Sequence, residues 1–121
     1  MKLIKSVLGA LVLGSALLAT CHATTFNYRD GEGTLKLYLS FETGLPVVVI
    51  NTVNPNNLAT CDFEAEQCIV TEDNKIVCDA GEGEDPLIVE LRTKRRLKVT
   101  SFPESFCGMG ASALGSYKLA K

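Results

Sequence analysis

Three cysteines fall within one short stretch, CDFEAEQCIVTEDNKIVC from Cys61 to Cys78, and a fourth, Cys107, lies well downstream. If all four pair, Cys107 must reach back to that stretch, so the third quarter of the chain is tied to its end. Cys61 and Cys68 are too far apart for a redox dithiol, and structural bridges account for the cysteines better than catalysis or zinc. All three pairings stay open, because spacing does not decide connectivity. Parity adds a condition. Cys61, Phe63 and Ala65 share one face of an extended strand and Asp62, Glu64 and Glu66 the other. Cys68 has the opposite parity, so a bend or bulge separates it from Cys61 if both point inward.

Disulfides persist in oxidising compartments, and the first residues supply a route to one. Lys2 and Lys5 precede an apolar run from Val7 to Ala19 that is too short to span a bilayer, and small residues follow. This reads as an export signal cut after Ala23. The expectation is therefore a signal peptide over 1–23 and a single exported β domain over 24–121, periplasmic or secreted, with no transmembrane segment. Leu18-Ala19-Thr20-Cys21 resembles the lipobox of bacterial lipoproteins, which implies the alternative of a lipid anchor on Cys21. Either route takes Cys21 out of the pool, leaving four cysteines. Removing 23 of 121 residues leaves 98. A domain that small buries only about 60–65% of its unfolded surface, so each bridge, at roughly 2–4 kcal/mol, is a large share of its stability.

The remaining pattern is strands and turns. Phe26 and Tyr28 share a parity in Thr24 to Asp30, and Asp30-Gly31-Glu32-Gly33 is a turn. Leu35, Leu37, Leu39 and Phe41 alternate with Lys36, Tyr38, Ser40 and Glu42, the period of a strand with one buried and one wet face. Val47 to Val53 is too β-branched for a helix, and Asn54-Pro55-Asn56-Asn57 ends it. Thr71-Glu72-Asp73-Asn74 is a hairpin turn; with three turn residues Cys68 sits opposite Cys78. Lys75 to Ala80 returns as a strand, and Gly81 to Pro86 is an exposed loop. Leu87, Val89 and Leu91 alternate with Ile88, Glu90 and Arg92, a basic turn follows, and Leu97 and Val99 resume the pattern. Tyr117-Lys118-Leu119 supplies a last strand. The fold class expected is all-β, a small antiparallel β-sandwich or barrel of about 7–8 short strands with two disulfides.

Little catalytic chemistry is on offer. His22, the only histidine, leaves with the export segment, which removes Ser–His and Cys–His nucleophiles and histidine metal sites. Asp62, Glu64 and Glu66 could serve a carboxylate-dependent hydrolase, but nothing near them in sequence would raise a pKa, and they fit a solvated strand face. The glycine-acid loops at Asp30 to Gly33 and Gly81 to Asp85 match no full calcium motif. No enzyme activity, cofactor or metal is expected. Cleavage lowers the basic count from 12 to 10 against 14 acids, and the resulting net −4 argues against nucleic acid.

Two segments remain as candidate partner contacts. Arg92, Lys94, Arg95, Arg96 and Lys98 place five positive charges at a hairpin tip, either a solubilising turn or a contact seeking an acidic protein or anionic envelope polymer. Phe106 to Tyr117 is rich in small residues, which fits backbone passing close to backbone, or a pliable loop offering Ser112, Ser116 and Tyr117 to a partner's cleft. In size, export, β content and disulfides the chain is similar to bacterial lysozyme inhibitors, some of which insert a Ser-Gly-x-x-Tyr loop into the enzyme. The nearest stretch here, Ser112-Ala113-Leu114-Gly115-Ser116-Tyr117, has a different spacing. The functional expectation is a binding protein with a protein partner in the cell envelope, an inhibitor or immunity protein against a hydrolase such as lysozyme. A structural component of the envelope is the alternative, and a carboxylate hydrolase a further one.

Overall fold

The computed structural model describes residues 23–120, so the expected signal peptide up to His22, with Cys21, lies outside the described residues. Nine strands follow in order: β1 (Thr24–Tyr28), β2 (Glu32–Leu39), β3 (Pro46–Val53), β4 (Thr60–Ala65), β5 (Cys68–Val70), β6 (Lys75–Cys78), β7 (Leu87–Thr93), β8 (Arg96–Ser101) and β9 (Gly115–Leu119). All pair antiparallel in one sheet of order β4-β3-β2-β1-β9-β8-β7-β6-β5. Its two outer strands, β4 and β5, are consecutive in the chain and separated only by Glu66-Gln67. The sheet therefore curls until its edges meet, as a nearly closed barrel that leaves little edge to aggregate. β1 and β9 join the first half of the chain to the second, with Tyr28 opposite Tyr117.

The bend demanded by cysteine parity falls at Glu66-Gln67, and it raises the strand number to nine by dividing one run into β4 and β5. Cys61, Ala65, Cys68 and Val70 are all buried as a result. In the β5–β6 hairpin, Cys68 lies opposite Cys78 and Val70 opposite Ile76. The register leaves Glu72-Asp73-Asn74 as the turn, and Asn74 takes the left-handed conformation (φ 60°) that such a three-residue connection needs. Asparagine adopts it at less cost than most side chains. Bridges join Cys68 to Cys78 and Cys61 to Cys107. Two disulfides fit an exported β protein, and among the described residues no helix is long and apolar enough to cross a membrane.

Alternation sets the core. Leu35, Val48 and Ile50 from β2 and β3, Ile76, Leu87 and Val89 from β6 and β7, and Leu97, Val99 and Tyr117 from β8 and β9 point inward together. Phe41 does not join them. β2 stops at Leu39, the hairpin turn begins at Ser40, and Phe41 stands 84% exposed. Lys94-Arg95 forms a two-residue turn between Thr93 and Arg96; the β7–β8 register shifts beside it, between Leu91 and Thr93, and again at the other end of the ladder, between Ile88 and Val89.

The Cys61–Cys107 bridge closes a sequence separation of 46 residues and the Cys68–Cys78 bridge one of 10. Chain-entropy arguments give about 4 and about 3 kcal/mol respectively. The double variant Cys61→Ala/Cys107→Ala should accordingly lose up to about 4 kcal/mol of unfolding free energy in urea titration. Cys107 is only half-buried whereas Cys68 and Cys78 are inaccessible. Under graded reductant, peptide mapping should find Cys107 alkylated before either of them.

Candidate functional site

Residues 102–114 connect β8 to β9, and their composition lets them do so by crossing the end of the barrel. Pro103 halts the strand, Phe102 and Ala113 bury their side chains in the core, and the glycines and alanine between them keep the backbone close to its support. After a short 3-10 turn at Glu104–Phe106, the chain reaches the far rim. There Cys107 bonds to Cys61 and pairs with it as a β-bridge, and the Gly108 N–H donates to the Thr60 carbonyl at 2.7 Å.

From Met109 onward the strap is held by its carbonyls. Asn57 Nδ2 donates to the Met109 carbonyl (3.2 Å) and Asn54 Nδ2 to that of Gly110 (2.8 Å). Thr52 Oγ1 donates to the Ser112 carbonyl (3.0 Å) and the Tyr117 hydroxyl to that of Ala113 (2.7 Å). The Tyr28 hydroxyl donates to the Leu114 carbonyl. Five carbonyls between 109 and 114 are thus fixed by side chains from β1, β3, β9 and the β3–β4 turn. At the strap's exit the Asp30 carboxylate accepts the Ser116 N–H at 2.9 Å. A Cβ on Gly115, at φ +127°, would lie 2.1 Å from that carboxylate, so only glycine fits.

The segment is therefore anchored rather than pliable, and the three residues expected to be offered together are not. Tyr117 is completely buried, stacked on Tyr28 with ring centroids 4.7 Å apart, and supports the strap from beneath. Ser112 is exposed but its Oγ accepts the Leu114 N–H. Ser116 lies on the outer wall of β9, opposite Lys98. What the strap offers instead is apolar. Met109 is 94% exposed, Leu114 and Phe106 are partly so, and Leu58, in the turn that supplies Asn54 and Asn57, is 75% exposed. Leu58 holds φ 62°, a conformation that costs a non-glycine residue on the order of 1 kcal/mol. Beside these side chains the strap lines a cavity of about 340 Å³ whose only ionisable side chain is Glu104.

The basic hairpin tip is elsewhere. Arg92, Lys94, Arg95, Arg96 and Lys98 are all exposed, and Arg92 pairs with Glu90 at 2.8 Å. The tip precedes β8 and the strap follows it, so the two lie at opposite ends of a strand roughly 20 Å long. Asp62, Glu64 and Glu66 are exposed on the outer side of β4 and its continuation, and none lines the cavity. Among the described residues no cluster of His, Cys, Asp or Glu is arranged to hold a metal ion. No protein-family model matches the chain, and no curated protein or solved structure does so either.

Sequence reasoning passed over Thr52, Asn54, Asn57, Tyr28 and Leu58. Their partners are remote in the chain, and an Asn-Pro-Asn-Asn run carries only the signal of a turn.

Burial holds the Tyr117 phenol well above its ordinary value of 10.0, with Tyr28 and Asp30 adding to the effect. Tyr28 is raised first by burial and then by Asp30. The folded protein thus binds these protons more tightly than the unfolded chain. Their contribution to stability is complete below pH about 10 and is lost as pH rises above it. Urea midpoints should fall steeply above pH about 10. Tyr117→Phe should be less stable at neutral pH by about 1–2 kcal/mol yet fall less steeply in alkali.

Proposed function

We propose that this is an exported, non-catalytic binding protein that neutralises an envelope hydrolase such as a lysozyme, with the strap and the β3–β4 turn as its contact surface. The observation that carries this reading is the fivefold clamping of the strap carbonyls under an almost fully exposed Met109. Exposed apolar side chains on mobile backbone lose much of their binding free energy to ordering on association, and side chains on backbone already fixed do not. Leu58 extends the same apolar face from an adjacent turn, in a backbone conformation of the kind that tends to be retained at functional positions. The cavity beside them, with one carboxylate and no second acid or base, offers a concave companion rather than a reaction centre. A small rigid domain meeting an enzyme's cleft through a few anchors is the arrangement in which a handful of residues dominate affinity.

Titrating the oxidised protein into a lysozyme turning over peptidoglycan tests this. The rate should fall in proportion to added protein and reach zero near one equivalent. Met109→Asp and Leu58→Asp, at positions that contribute nothing to the core, should each weaken inhibition by roughly 30-fold or more without lowering the thermal midpoint. An undiminished rate at tenfold molar excess across several muralytic enzymes would overturn the reading, as would multiple turnover of peptidoglycan by the protein itself.

A further inference from the structure

Charge is segregated along this chain. Residues 60 to 90 carry ten acids and one base, Lys75, whereas residues 91 to 121 carry one acid, Glu104, and seven bases. The barrel turns this division into two walls. On the outer side of β8 and β9, Arg96 stands opposite Lys118, and Lys98 stands opposite Ser116 on one side and, on β7, opposite Glu90, the acid that Arg92 also pairs with. The Ser116 carbonyl in turn accepts the Arg29 N–H at 2.8 Å, which brings Arg29 into the next lane of the same face. Lys94 and Arg95 extend the strip at the hairpin tip. Neither β8 nor β9 contains an acid. Like charges directly opposite across a ladder are mildly destabilising, and an anion bound between Arg96 and Lys118 would relieve that repulsion. The acids of β4, Asp62 and Glu64, lie on the far side of the barrel from this strip.

We infer that the strip formed by Arg29, Lys94, Arg95, Arg96, Lys98 and Lys118 is a second binding surface, separate from the strap, for a linear polysaccharide bearing carboxylate or sulfate groups. Shape selects a flexible chain. A barrel of this size turns by roughly 40° per strand, so Arg29 and Arg96, two strands apart, face directions about 80° apart. A flat bilayer touches such a wall along one line, whereas a polymer wraps across it. Chemistry selects a glycan over a nucleic acid. The row that begins with Arg96 and Lys118 continues across paired positions through Asn27, Thr34 and Asn51 before it reaches an acid, Asp62, on β4. These amides and hydroxyl suit sugar hydroxyls, and the row holds no aromatic side chain on which bases could stack.

Heparin and polygalacturonate serve as sulfate- and carboxylate-bearing probes, with single-stranded DNA and anionic phospholipid vesicles alongside, all at about 0.1 M salt. The oxidised protein should bind both polysaccharides more tightly than DNA or vesicles. Arg96→Glu/Lys98→Glu should weaken polysaccharide binding about tenfold or more, and Arg29→Glu should weaken it in the same direction. Lys75→Glu, at a lysine that pairs with Asp73 and is separated from Lys98 by Glu90, should alter it less than about twofold, and Met109→Asp should leave it unchanged. Tighter binding to DNA or vesicles would overturn the inference, as would absence of binding or equal weakening by Lys75→Glu. It also falls if sedimentation shows mass growing with concentration in the parent protein and not in Arg96→Glu/Lys98→Glu, because the strip would then serve the acidic wall of a second copy.

Discussion

The bond between Cys61 and Cys107 fastens an outer strand of the sheet to a connection that begins and ends on the opposite side of the barrel. Everything at that end depends on it. Ordering a backbone segment costs about 1 kcal/mol or more per residue, and five side-chain hydrogen bonds at about 1 kcal/mol each do not offset that over 102–114. The covalent tie removes much of the freedom the segment would otherwise have in the unfolded chain, and burial of Phe102 and Ala113 at its two feet adds apolar contact. Phe63 sits beneath the tie, edge-on to Phe102 at 5.9 Å and tilted against Phe106 at 4.4 Å. Once the strap is placed, each clamp forms between groups already near one another, and the hydrogen bonds fix its conformation rather than its presence.

Parity and turn chemistry made much of the barrel legible from residues alone. The phase mismatch between Cys61 and Cys68 calls for a bend if both point inward, and it falls at Glu66-Gln67; spacing leaves all three pairings open, and the three-residue turn ending at Asn74 is the one that sets Cys68 opposite Cys78. Where alternation ran past the end of a ladder it misled, as at Phe41, because period two continues in sequence after hydrogen bonding has stopped. Tyr117 reads both as the start of the last strand and as a loop residue open to a partner; the strand, which begins at Gly115, carries it inward to meet Tyr28. The candidate site was the least legible part. Its supports, Thr52, Asn54 and Asn57, lie more than 50 residues from the carbonyls they hold, and no local pattern encodes that.

The strap's rigidity and its poverty in charge belong together. Glu104 is the only ionisable residue from 102 to 114, so the side chains aimed at solvent there gain by leaving water and little by finding an opposite charge. Such a surface selects by shape. Charge is concentrated on the side walls, basic along β8 and β9 and acidic along β4 and its continuation at Glu66, away from the end that the strap covers.

At physiological ionic strength, fields decay over about 8 Å, less than the length of one strand here. The two walls consequently act on an approaching macromolecule only once it is nearly in contact. A partner meeting the strap end would feel opposite signs on opposite flanks, which turns it about the barrel axis without drawing it in from a distance. Apolar anchors then determine whether it stays, and the charge division determines in which rotation it does so. A net-neutral surface of the same shape would bind in several rotations of similar energy. Segregated charge across a narrow barrel removes that degeneracy at little cost to the core, because every charged group involved lies on the outer face.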